Sequence, residues 1–152
     1  MVSREDFEAF LDRLAATGAS STEVEPNLWR VRPDGALDFD VVVTLSPPVV
    51  LLRAKVMDRP ADPAADAALA RRLLELNASD LLHGAYGFAR VSVVLTDALE
   101  LAHLDYEEFR ASFESMTLAL TAHVRELAAC CAPNGVAAHA AGAAPTAPAE
   151  AR

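Results

Sequence analysis

LLELNASDLLHGAYGFARVSVVLTDALELAHLD, residues 73–105, is the stretch on which the reading of the fold turns. It begins as the end of an amphipathic helix, breaks at residues 77–80, and runs on through glycine-punctuated apolar residues that predict a β-hairpin. A second helix then starts at Leu104 and Asp105. Nothing in the stretch pairs a nucleophile or an acid/base group with a positioned partner, so function is to be sought in surfaces rather than in a reactive group.

Upstream, Ser3 can cap a first helix, Asp6 sits at the reciprocal capping-box position, and Val2 can staple against Phe7. Phe7, Phe10, Leu11 and Leu14 fall on one face at helical spacing, and Gly18 ends the helix. Residues 20–27 read as a polar linker, after which residues 28–32 predict a strand and Pro33-Asp34-Gly35 a turn. From Phe39 the alternation puts Phe39, Val41, Val43 and Leu45 on one face and Asp40, Val42, Thr44 and Ser46 on the other. Pro47 and Pro48 stop that ladder because neither has an amide hydrogen to donate. The third strand, residues 49–57, turns Val50, Leu52, Ala54 and Val56 inward. Its outward face carries Val49, Leu51, Arg53, Lys55 and Met57, an alternation of apolar and basic residues where a solvent face is ordinarily polar throughout.

Asp62 caps a second helix with Pro63 at its first position, and the helix runs to about Asn77 with Leu69, Leu73 and Leu76 as its stripe and Leu74 widening it. In the hairpin, Tyr86 and Phe88 belong to the first arm and Val91, Val93 and Leu95 to the second, with Val94 pointing the other way. The third helix is capped by Asp105 with Glu108 completing the box and Leu104 stapling against Phe109. Phe109, Phe113, Met116, Leu120, Val124, Leu127 and Cys131 recur along it every three or four residues, and Pro133-Asn134-Gly135 terminates it. Residues 133–152 form an Ala/Pro-rich tail expected to be disordered, leaving residues 1–132 as one domain. The predicted class is α+β with element order α-βββ-α-ββ-α: a twisted antiparallel sheet with helices mainly on one face.

The net charge of −9 argues against a phosphate-backbone ligand, which needs clustered Lys and Arg. The N-terminus is charged where an export signal would be apolar, and the longest apolar run is broken by Pro47-Pro48, short of the roughly 20 residues a spanning helix requires. A cytoplasmic protein without membrane insertion is expected. Cys130 and Cys131 are adjacent and cannot bridge distant parts of a fold. His83, His103, His123 and His139 are dispersed, so neither a metal nor a cofactor is expected. Gly84 and Gly87 lack the spacing of a phosphate loop and are read as letting the hairpin backbone approach a neighbour; Glu107 and Glu108 complement a helix dipole.

The LLELN run, the polar break, Gly84-Ala85-Tyr86-Gly87-Phe88, the Val-rich strand, and Leu99-Glu100-Leu101 leading into Leu104-Asp105 together resemble the Tir-chaperone (CesT-like) family of type III secretion chaperones. The resemblance implies a small acidic cytoplasmic homodimer without enzymatic activity, holding an unfolded N-terminal segment of a secreted effector over its surface. It implies effector contacts at Phe7, Phe10, Leu14, Val42, Val49 and Leu51, and a dimer interface around Leu69, Leu73, Leu76, Tyr86 and Phe88. One departure is the turn after Phe88, Ala89-Arg90, which lacks the family's usual acidic or glycine residues and implies a shorter hairpin. The alternative is a YbjN-like regulatory or protein-interaction domain, of shared architecture but with a more polar Asn-Trp motif where this chain reads LLELN. A deep pocket with converging polar groups would instead speak for a small-molecule or enzymatic domain.

Overall fold

The computed structural model describes residues 1–35 and 38–130. The expected tail, the third helix's proline-glycine stop and Cys131 lie outside the described residues. Element order is α1 (Arg4–Ala15), β1 (Ser20–Glu25), β2 (Leu28–Arg32), β3 (Val41–Ser46), β4 (Val49–Asp58), α2 (Pro63–Ser79), β5 (Ala85–Ala89), β6 (Ser92–Glu100) and α3 (Tyr106–Cys130). The six strands form one antiparallel sheet in the order β1-β2-β3-β4-β6-β5. The α+β class stands, with one strand more than expected.

That extra strand is β1, in the residues expected to be a linker. All six of its side chains are exposed, so it has no apolar alternation to betray it. Backbone pairing to β2 holds it in place. The turn between them, Pro26-Asn27, uses proline's fixed φ followed by Asn27 at φ 66. Arg4 clamps the hairpin to α1 through Glu23 at 2.9 Å and the Asn27 side chain at 3.1 Å.

The helix starts follow their caps. Ser3 and Asp6 form the complete capping box of α1, Asp62 accepts from the Ala65 amide at 2.8 Å ahead of Pro63, and Asp105 accepts from the Glu108 amide at 2.8 Å. Such caps satisfy amides that have no partner within the helix.

Register decides the two faces of the sheet. Val31, Val41, Ala54, Leu95 and Tyr86 form one row across five strands, and Trp29, Val43 and Leu52 the next; all are buried beneath the helices. A bulge between Lys55 and Met57 shifts β4 by one residue, so Met57 stands opposite Val93 and packs towards the core, not outward as simple alternation predicts. Val91, expected in the second arm of the hairpin, lies in its turn and is exposed; Arg90 beside it takes φ 57. Gly84 does allow a close approach: at φ +74, a Cβ there would lie 2.7 Å from the Thr96 carbonyl oxygen. Gly87 has open space instead.

The seam of α3 lies across the covered face, with Phe109, Phe113, Met116, Leu120 and Leu127 buried and Val124 partly so. Phe7 joins α1 to this seam, its ring centroid 5.1 Å from that of Phe109 and 5.6 Å from that of Trp29. Phe7 is completely buried, so Phe7→Ala should cost about 3–5 kcal/mol in denaturant unfolding, the range for a large core truncation. A loss below about 1 kcal/mol would show that the ring belongs to a yielding surface groove.

Candidate protein-binding surface

Among the described residues, no helix packs on the opposite face of the sheet. Its middle row crosses every strand as Thr22, Arg30, Val42, Arg53, Thr96 and Ala85. Beside it run Leu28, Thr44, Leu51 and Ala98. Val49 stands at one end, and Lys55 and Val94 on the other side of the middle row. Leu51 is 41% exposed, while Leu28, Val42 and Val49 are half-buried among their neighbours. The face therefore joins apolar patches to guanidinium and ammonium groups.

Burial divides the effector residues implied by sequence resemblance. Val42, Val49 and Leu51 share the open face, and Phe10 is partly exposed on α1. Phe7 and Leu14 are buried core residues in the single chain, Phe7 packing against Trp29 and Phe109, so neither is accessible to a partner as the resemblance implied. The dimer set divides likewise. Leu69, Leu73, Leu76 and Tyr86 are buried within the single chain, leaving Phe88 exposed. Phe88 joins Ala70, Leu74 and Gly87, with Leu73 and Tyr86 beneath, around an apolar depression of about 200 Å³. Leu74, which was expected only to widen the helix stripe, is 69% exposed there. Arg59 lies 3.9 Å from the centre of the Phe88 ring and is held by the Asp66 carboxylate, its Nε at 2.9 Å.

Sequence reading gave Asn77 only the role of ending a helix. Its side chain in fact pairs with the backbone of β5: Nδ2 donates to the Tyr86 carbonyl at 3.0 Å, and the Tyr86 amide donates to Oδ1 at 2.7 Å. The end of α2 thus closes one edge of the sheet, as a further strand would. His123, read as an isolated helix residue, is buried with Nδ1 3.0 Å from the Tyr86 hydroxyl and Nε2 3.4 Å from Asp80. Burial pushes the Tyr86 phenol up to about 12, so it remains an O–H at neutral pH. These groups order the core beside the depression. Ser112 is likewise fully buried and bonds the Asp97 carboxylate.

Two clefts of about 480 and 490 Å³ flank Phe39; the first runs from Arg30, Val42 and Lys55 past Asp40 to Leu120 and Val124 of α3, and the second lies beside Glu114, Thr117 and Leu118. Among the described residues no His, Cys, Asp and Glu cluster is arranged for a metal, and no helix is long and apolar enough to cross a membrane.

The family model CesT_Tir_1 matches residues 4–132. This chain belongs to that family. No curated protein matches it. Among solved structures, YbjN from E. coli is 22% identical with a TM-score of 0.58, covering 82% of this chain and 93% of that one. The heterodimeric ExoU-SpcU complex from the type III secretion system of Pseudomonas aeruginosa contains a chain 15% identical with a TM-score of 0.59, covering 81% of this chain and 98% of that one. A chain of the HopA1-SchA chaperone-effector complex is 10% identical with a TM-score of 0.55, covering 84% and 98%. Family membership thus rests on the sequence match, and these structures show the shared fold.

Two tests address the supports of this surface. Asn77→Leu leaves both backbone groups of Tyr86 without their partner and should cost about 1–3 kcal/mol by denaturant unfolding, with faster amide exchange at Tyr86. Unchanged exchange would remove Asn77 from this role. Arg59, chiefly by hydrogen bonding, holds the Asp66 carboxyl below its ordinary range. A carboxyl lowered in the folded state stabilises at neutral pH, and that contribution disappears as pH falls through the lowered value. Thermal midpoints measured from about pH 7 to about pH 3 should therefore fall less steeply for Asp66→Asn than for the parent; parallel curves would refute the linkage.

Proposed function

We propose that this protein is a non-catalytic, cytoplasmic secretion chaperone that binds an unfolded N-terminal segment of a secreted effector and keeps it secretion-competent. The observation that carries the reading is the sheet's uncovered face, where Leu28, Val42, Val49 and Leu51 remain accessible beside basic residues. A chain belonging to CesT_Tir_1 with such a face is suited to an extended guest making many dispersed apolar contacts, which offset the entropy of ordering it. The exposed β1 edge offers unpaired backbone groups to the same guest. A chain of this fold in the HopA1-SchA chaperone-effector complex, and another in the ExoU-SpcU heterodimer from a type III secretion system, support the same reading.

We place self-association on the α2–β5 side. Leu74 and Phe88 are large exposed apolar residues around one depression, and a two-fold partner would cover them with the same patch. The second reading, a YbjN-like interaction domain, draws on the 22% identity to YbjN.

Co-expression with secreted proteins encoded beside it should give a complex in which one N-terminal client segment resists proteolysis. The double change Val42→Asp and Leu51→Asp should weaken that complex by at least about tenfold while leaving the fold intact. Light scattering should give twice the chain mass, reduced to one by Leu74→Asp with Phe88→Asp. A monomer that protects no client would overturn the chaperone reading in favour of the YbjN-like one.

A further inference from the structure

We infer that the segment received by the open sheet face carries carboxylates interleaved with apolar side chains. This rests on the reading of that face as a partner surface and adds the chemistry of what it selects. The protein has 22 acidic and 13 basic residues, yet Arg30, Arg32, Arg53 and Lys55 gather on this face. Arg30 and Arg53 stand either side of Val42 in the middle row, two strand spacings or about 10 Å apart.

Internal partners leave this pair largely unsatisfied. Asp40 accepts from Arg32 at 2.9 and 3.3 Å, whereas its approach to Arg30 is 3.8 Å. Lys55 is taken by Asp58 at 2.8 Å. Arg53 has no ion-pair partner among the described residues and is exposed. Of the acids near this face, Asp38 and Asp40 are engaged chiefly with Arg32 beside the β2 end of the row, while Glu25, Asp58 and Glu100 lie at strand ends. A guest carboxylate over the centre therefore meets Arg53 and Arg30 with Val42 between them. Both guanidinium groups can bond it through paired N–H donors. Aliphatic guest residues on either side of that carboxylate would meet Leu51 and Leu28 in the next row.

The apolar row also tells against a nucleic acid. Leu28, Leu51 and Ala98 offer no phosphate contacts, and the remainder of a chain with net charge −9 repels a polyanion. A short acidic-apolar segment meets the local cations without extending over the distant acids. It also discriminates against basic guests, a matter of charge complementarity more than of buried area.

The test uses the full chain and three fluorescein-labelled synthetic peptides of one length, each a Leu-Ser-X repeat with X as Glu, Gln or Lys, in fluorescence anisotropy. The Glu peptide should bind about tenfold more tightly than the Gln peptide, with the Lys peptide weakest. Arg53→Glu should abolish that preference and Arg53→Lys retain most of it. Arg125→Glu on α3, the same change of charge elsewhere, should leave it intact. Equal binding of Glu and Gln peptides, no binding by any peptide, or displacement of the Glu peptide by an equal concentration of oligothymidine overturns the proposal. Client protection is scored separately. A protected client with no Glu preference defeats only this inference, and a Glu preference without any protected client defeats only the chaperone reading.

Discussion

One-sided burial is the constraint from which this architecture follows. Six antiparallel strands present two faces, and among the described residues the helices cover one of them. The seam of α3 and the stripe of α1 meet over Trp29, Val31, Val43 and Leu52, with Phe7 and Phe109 in edge-to-face contact at their junction. Apolar burial at this junction supplies the main stabilisation, and the caps at Ser3, Asp62 and Asp105 set where each helix begins. Among the described residues, no helix covers the other face.

The two sheet edges are treated differently, and this gives the molecule a direction. At β5 the Asn77 side chain occupies the backbone groups of Tyr86, and the Tyr86 ring is anchored below by His123. At β1, no side chain among the described residues is seen to pair with the strand's outer backbone as Asn77 does at β5; Arg4 of α1 meets Glu23, and the exposed side chains are polar apart from Val24. Polar edge strands limit indiscriminate pairing while still allowing a specific guest strand to add. Self-association at the α2–β5 patch and guest binding on the open face and β1 edge would thus occupy separate regions of one sheet.

Much of the fold was legible in the sequence because apolar periodicity reports burial directly. The α3 seam, the alternation of Val41, Val43 and Leu45, and the Asp62-Pro63 start all appear where periodicity and capping predict. The strand β1 was not legible that way, since a strand exposed on every residue has no period; its one signal was the Pro26-Asn27 turn. The candidate site was only half legible. Val49 and Leu51 stood out from an outward strand face of unusual composition, whereas Val42, Phe7 and Leu14 were singled out only by the resemblance, and Phe7 and Leu14 are buried. A helical stripe looks the same in sequence whether it meets a neighbouring helix or a guest.

The sequence by itself determined the class, the positions of the three helices, the family and the mixed apolar and basic character of one strand face, because each depends on residues near one another in the chain. Tertiary structure alone decided which apolar residues stay accessible, that Asn77 closes an edge, that His123 meets Tyr86 and Asp80, and that Arg30 and Arg53 flank Val42. Those facts depend on strand order and register. Pairing brings together residues far apart in sequence, and a shift of a single position would exchange the two faces of the sheet.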